Sequence, residues 1–269
     1  MARSALLNVM VQAAVKAGRG LSRDFGEVQN LQVSLKGPSD YVSQADRKAE
    51  QTIRHELMRA RPTYGFLGEE SEEEKGTDGA HRWIVDPLDG TTNFLHGIPI
   101  FSVSIALERN DEIVAGVVYN PAMDELYTAE KGGGAFMNDR RLRVAARRTL
   151  TDTVISTGVP HLGRGHHGKY LVELRNVMGE VAGIRRLGSV ALDLAYVAAG
   201  RLDGFWQWKL QPWDCAAGAL MVRESGGIVT DEDGGQAFLA SGNLIAAAPR
   251  VHSAMLPVLR RACRTRCAS

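Results

Sequence analysis

Cysteine is scarce in this chain of 269 residues: Cys215, Cys263 and Cys267 make three, with no framework spacing. That argues against a disulfide scaffold and favours a reducing, cytoplasmic setting. Long apolar runs are missing as well. No stretch approaches the roughly 20 residues that span a bilayer, so no membrane partner is expected. Excess charge of either sign is lacking, with 32 Lys and Arg against 31 Asp and Glu and a formal net charge of +1. No global field therefore argues for nucleic acid or an anionic membrane. Neither an internal repeat nor a low-complexity linker interrupts the sequence, which argues against a repeat array.

What is present is an ordinary soluble composition, 44% hydrophobic and 23% charged. The length suits one large domain or two closely packed subdomains. The N-terminal ALLNVMVQAAV has the hydrophobicity of a secretion signal, but Asn8 and Gln12 interrupt it. Leu6, Val9, Met10, Ala13 and Ala17 share one helical face, so an amphipathic helix ending near Gly18 and Gly20 is expected. A second amphipathic helix is expected over 42–60, with Val42, Ala45, Ala49, Ile53 and Leu57 as its stripe and Pro62 beyond its end.

Strands are expected over 63–68 and 82–86, and a hairpin over 101–120 that turns at Arg109-Asn110-Asp111. The basic, polar stretch from Arg140 to Thr153 is the best internal boundary. Beyond it, 190–200 reads as a buried helix closed by Gly200, and 212–227 as a helix with Pro at its start and Gly-Gly after its end. A strand over 243–249 and a last helix follow. The pattern indicates an α/β (α+β) layered fold, with an N-terminal part over 1–145 and a C-terminal part over 146–269.

WIVDPLDGTTNF (83–94) raises the chemical question. Asp86 and Asp89, three apart around a proline, are consistent with a polar turn. They can also converge on one point, where their charges would repel unless a cation neutralised them. Hard oxygen ligands favour Mg²⁺ or Mn²⁺, with the Leu88 carbonyl a further candidate ligand. Gly90, Thr91 and Thr92 offer amides and hydroxyls at a helix start, where phosphate can sit. The other acids have ordinary readings one by one: Glu69 opens an acidic run, Asp214 can cap a helix, and Asp46 lies at the edge of its helix stripe. Lys36 and Asp40 can be plain loop residues.

GEES (68–71), WIVDPLDGTTNF (83–94) and QPWDCAAGALMVRESGG (211–227) closely resemble, in order and spacing, the signature segments of the inositol monophosphatase family. LKGPSDYVSQAD (35–46) and GIRRLGSVALDLAYVAAGRLDGFW (183–206) resemble its adjoining segments, so the likeness runs from about Lys36 to Gly227. The resemblance implies an αβαβα sandwich, a homodimer, lithium sensitivity and Mg²⁺-dependent hydrolysis of a phosphorylated polyol such as inositol monophosphate. It implies that Glu69, Asp86 and the Leu88 carbonyl hold one Mg²⁺, that Asp86, Asp89 and Asp214 hold a second, and that Glu69 reaches a third, weaker ion. Thr91, with Asp46 behind it, would orient the attacking water, and the amides of Gly90, Thr91 and Thr92 would bind phosphate. Lys36 would lie in the segment that approaches the site.

The charges agree with that picture: four carboxylates are balanced by two Mg²⁺ before the phosphate binds. The polyol would meet Asp89, Asp214, Gly188, Ser189, Val190 and Gln207. At Gln207 the family's usual glutamate is a glutamine, neutral and able to donate as well as accept, which weakens the assignment to inositol. Trp206 and Trp208 flank it and can face substrate, core or a second subunit. Other small esters (histidinol phosphate, fructose 1,6-bisphosphate, an adenosine bisphosphate) and a non-catalytic regulatory protein with this fold are the alternatives. GRGHHG (163–168) matches G-x-G-x-x-G without a βαβ context, and His161, His166 and His167 read as a surface loop. The basic RRACRTRCAS tail reads as a solvated end.

Overall fold

The computed structural model describes residues 3–27, 33–37, 40–160 and 166–264, with side chains for 3–27, 44–160 and 166–261. In chain order the elements are α1 (Ala5–Phe25), β1 (Val33–Gly37), β2 (Asp40–Ser43), α2 (Gln44–Ala60), β3 (Gly65–Gly68), β4 (His81–Asp89), α3 (Thr91–Leu95), β5 (Ser102–Arg109), β6 (Glu112–Asn120), β7 (Glu125–Glu130), β8 (Gly134–Met137) and β9 (Arg140–Arg141). There follow β10 (Val154–Thr157), α4 (His167–Met178), β11 (Gly183–Arg185), α5 (Val190–Ala198), β12 (Gly204–Gln207), α6 (Pro212–Glu224), β13 (Ile228–Thr230), α7 (Phe238–Ser241), β14 (Leu244–Ala247) and α8 (Pro249–Arg264).

Seven strands form one sheet in the order β3-β4-β5-β6-β7-β8-β9, antiparallel except for the parallel β3–β4 pair. Five form a second, mixed sheet in the order β11-β10-β12-β14-β13. Helices α1 and α2 cover the outer face of the first sheet, α5 and α6 lie between the sheets, and α4 and α8 cover the second. This is the αβαβα layering that the resemblance implies. The central layer explains the nearly all-round apolarity of 190–200. Seven of the nine α5 residues are buried, because both sheets press on that helix. One continuous core runs from Ile84 and Val118 of the first sheet through α5 and α6 to Phe205 and Ala246 of the second.

Three expectations change. Helix α1 does not end at Gly18 and Gly20 but continues to Phe25. Gly18 is there for packing: a Cβ would lie 2.5 Å from the Tyr119 ring of β6, so its missing side chain lets the helix seat on the sheet. Helix α2 begins at Gln44, and Val42 belongs to β2 rather than to the helix stripe. Strand β4 extends past Asp86 through Pro87 to Asp89, and this change shapes the site. The hairpin between β5 and β6 turns as expected, with Asn110 and Asp111 at positive φ. No helix among the described residues is long and apolar enough to cross a membrane.

Candidate active site

In a regular strand, residues three apart point to opposite faces. Asp86 and Asp89 escape that rule through a bulge: Asp86 pairs with Ser104 and Asp89 with Ser102, so β4 spends one residue more than β5 between them. Ser102 and Ser104 are two apart and share a face, so the bulge returns both aspartates to one side. Pro87 suits it, since proline has no N–H to give to the ladder.

The bulge also curls the backbone onto itself. The Leu88 amide donates to Asp86 Oδ1 at 3.0 Å, and the Thr91 hydroxyl donates to the Leu88 carbonyl at 2.9 Å. Gly90 makes the exit, at φ +97 and 2.9 Å from the Ile100 carbonyl by its would-be Cβ, so only glycine fits without strain. It caps the short helix α3, as expected of a helix start at this point; Thr92 is exposed there.

The second half of the chain reaches this turn through α5 and α6. Asp89 accepts the Ser189 hydroxyl at 2.6 Å, the Ala191 amide at 2.7 Å and the Val190 amide at 3.2 Å, so its carboxylate sits on the N-terminus of α5. Ser189 is fully buried and caps α5 as well. Gly188, at φ +93, approaches Asn93 so closely that a Cβ would lie 2.9 Å from its amide nitrogen. Asp214 is in the first turn of α6, where it completes a capping box by accepting the Gln211 amide at 2.8 Å. The Ser104 hydroxyl donates to the Trp213 carbonyl, tying β5 to the same helix start.

Glu69 follows the last residue of β3, next to β4, and its amide donates to the Val85 carbonyl at 3.2 Å. Asp46 is not at a solvated edge. It is buried in the first turn of α2 at 2% exposure, because that helix lies against β4. Lys36 falls in β1, and its side chain is outside the described residues. His161 is outside them too, whereas His166 caps α4 and His167 begins it.

Burial pushes the Asp86 carboxyl well above the usual carboxylate range, and the negative charges of Glu69, Asp89, Asp214 and Asp46 push it further. Asp89 is raised by burial to about 6, held back by the Ser189 hydroxyl and the α5 amides, with Arg186 a lesser help. Four acids therefore act on the buried Asp86. Among the described residues no three of them close on a single point as a coordination shell. Asp86, Asp89 and Asp214 instead turn to the amides just named. As a donor set, buried and half-buried carboxylates that crowd Asp86, with a nearby backbone carbonyl, suit a hard divalent cation.

Two residues of this site escaped the sequence reading. Glu50 is 4% exposed on α2, and its Oε2 accepts the Glu70 amide at 2.9 Å, which fixes the backbone next to Glu69. Asn93 is 4% exposed, and its side-chain amide donates to the Ile100 and Leu187 carbonyls at 2.8 Å each. It thereby joins the α3 turn to the approach to α5. The flanking tryptophans are also settled. Trp206 is buried against Tyr170, and the Trp208 indole donates to Glu173 at 2.7 Å; both face the α4 layer.

A sequence profile of the inositol monophosphatase family matches residues 2–264. The chain belongs to the inositol monophosphatase family. It is 72% identical over 261 residues to inositol-1-monophosphatase of Rhizobium meliloti, covering 97% of this chain and 98% of that one. It is 44% identical over 255 residues to Nus factor SuhB of Escherichia coli, covering 95% and 96%. The solved structure of extragenic suppressor protein suhB from Bartonella henselae superposes with a TM-score of 0.93 at 67% identity, covering 96% of this chain and 99% of that one. The acids that act on Asp86 thus lie in a chain whose family is one of phosphatases.

Proposed function

We propose that the chain is a Mg²⁺-dependent phosphomonoesterase that hydrolyses myo-inositol monophosphate to inositol and phosphate. The observation that carries this reading is the gathering of Glu69, Asp89, Asp214 and Asp46 around the buried Asp86, an arrangement costly to fold unless cations neutralise it. On this reading Glu69, Asp86 and the Leu88 carbonyl hold one Mg²⁺, Asp86, Asp89 and Asp214 a second, and Glu69 reaches a third, with Mn²⁺ a substitute. When bound, the cations lower the pKa of the attacking water and neutralise the phosphate.

The protein's own groups supply the positioning. The Thr91 hydroxyl spends its proton on the Leu88 carbonyl, so its oxygen is left to accept from the attacking water, with Asp46 behind it. The amides of Gly90, Thr91 and Thr92 seat the phosphate. Gly188, Ser189, Val190 and Gln207, with Asp89 and Asp214, meet the polyol. A homodimer, lithium sensitivity, a cytoplasmic setting and a division at about residue 145 complete the proposal, on the family resemblance.

A second reading, a regulatory or binding protein on this fold, is favoured by the relatives named Nus factor SuhB. The complete acid set weighs for turnover. The test is phosphate release, with Mg²⁺ present, from inositol 1-phosphate, glycerol 2-phosphate, histidinol phosphate and fructose 1,6-bisphosphate. Preference for inositol 1-phosphate is expected, and Gln207→Glu should change the ratios of kcat/KM among the esters. Preference for another ester keeps the chemistry and changes the substrate, and release from none contradicts the catalytic reading.

A further inference from the structure

Strand alternation sorts the residues of β12 between two layers. Phe205 belongs to the core that contains α5 and α6, whereas Trp206 belongs to the outer core beneath α4 and α8. A period of two returns Gln207 to the Phe205 side, the side of the α5 N-terminus and Asp89. There Gln207 lies against Gly158, next to the parallel neighbour strand β10, so closely that a Cβ on Gly158 would fall inside the Gln207 carboxamide. Only glycine leaves that space.

The opposite side of β12 is gripped from α4. Glu173 is fully buried, and its Oε2 accepts the Trp208 indole N–H at 2.7 Å. Tyr170, one turn earlier on α4, stacks on Trp206 at 6.5 Å between centroids. Lys169 closes the cluster: its ammonium lies 3.8 Å from Glu173 Oε1, 2.9 Å from Glu232 and 5.0 Å from the centre of the Trp208 ring. Gln207 is thus the residue between two anchored indoles, with an open glycine on its own side.

The geometry points to Glu173 as a positioning residue for substrate selection: it holds Trp208 and the end of β12 from behind, so that the Gln207 carboxamide rests in the space left by Gly158 and faces the leaving alcohol. A carboxamide so placed offers both a donor and an acceptor without charge, which suits a neutral polyol better than an alcohol carrying an ammonium group. The inference rests on the phosphatase reading of the site and goes beyond it in assigning Glu173 and Gly158.

The test compares kcat/KM for inositol 1-phosphate with kcat/KM for p-nitrophenyl phosphate, whose leaving group has no polyol hydroxyls, in the full chain with Mg²⁺. Glu173→Ala should lower the ratio about tenfold through KM for inositol 1-phosphate, as expected for a displaced contact group, and leave kcat on p-nitrophenyl phosphate unchanged. Trp208→Phe, which keeps a ring and loses only the N–H donor, should do the same if Glu173→Ala fails to fold. The double variant should be no worse than either single one, because both break one link. Glu173→Gln keeps an acceptor for the indole and should restore the wild-type ratio. Gly158→Ala should lower the ratio by the same route. An unchanged ratio in Glu173→Ala and Trp208→Phe, with only a lower Tm, overturns the proposal and leaves a purely structural clamp. Absence of metal-dependent release from both inositol 1-phosphate and p-nitrophenyl phosphate in the wild type would instead overturn the phosphatase reading itself, and this inference with it.

Discussion

Asp89→Asn should lower kcat by about three orders of magnitude, equivalent to about 4 kcal/mol of transition-state stabilisation, while the fold survives. The reason lies in what asparagine keeps. Asp89 Oδ2 accepts both the Ser189 hydroxyl and the Ala191 amide, and an amide oxygen placed there still accepts both. Only the weaker bond from the Val190 amide to Oδ1 is replaced by a donor facing a donor, at a cost of about 1 kcal/mol. Against that, a charge that burial holds near a pKa of about 6 is removed. The α5 N-terminus therefore stays docked while a carboxylate of the proposed cation site is lost. Steady-state rates and a thermal melt on the same preparation separate the two effects. Near-normal kcat in a folded variant would remove Asp89 from the cation site.

Asp86→Asn should reverse the usual sign of a core substitution. In the metal-free protein, Asp86 is buried among four other acids, and its carboxyl is pushed well above the ordinary range. A carboxyl raised in the folded state favours folding at pH values below its unfolded pKa. That advantage is lost as pH rises through the folded value, so above the unfolded value the buried carboxyl costs stability relative to a neutral side chain. Asparagine carries no charge and still accepts the Leu88 amide. In EDTA at pH 7.5 the variant should melt higher than the wild type, by at least about 3 °C, the shift that 1 kcal/mol gives in a chain of this length. With Mg²⁺ the order should invert, because the wild type gains from cation binding and the variant does not. The metal-free wild type should also lose more stability than the variant as pH rises above the unfolded carboxyl value of about 3.9. A variant that melts lower than the wild type in EDTA would mean that the acids are not in the strained proximity described.

The layers of the fold were legible because apolar periodicity is local. The apolar strands of the β5–β6 hairpin, the stripe of α2 and the all-round apolarity of α5 each state their surroundings in a few residues. Helix α1 was misjudged at Gly18 because the feature that makes glycine useful there, the Tyr119 ring, lies about a hundred residues away in sequence. The acids of the site could be named from motif likeness, and Asp86 and Asp89 could be expected to converge, but not by what backbone device. By period two, Asp86 and Asp89 oppose each other, and the bulge that reunites them is defined by pairing with Ser102 and Ser104. Glu50 had a signal that went unused. Asp46, Glu50, Ile53 and Leu57 are spaced four, three and four apart, so both acids ride the buried face of α2. Asn93 had none, since its two acceptors, Ile100 and Leu187, lie on separate segments that only the tertiary fold brings to it.

The measurement that bears most directly on the cation site is Mn²⁺ binding to the metal-free wild type, followed by the loss of the free-ion electron paramagnetic resonance signal, with Asp86→Asn and Asp89→Asn alongside. The proposed function implies uptake of more than one Mn²⁺ per chain, competed by Mg²⁺ and reduced in both variants, with phosphate release from inositol 1-phosphate rising as the sites fill and vanishing in EDTA. Equal uptake by all three proteins, or phosphate release that persists in EDTA, would contradict the assignment of Asp86 and Asp89 to cations.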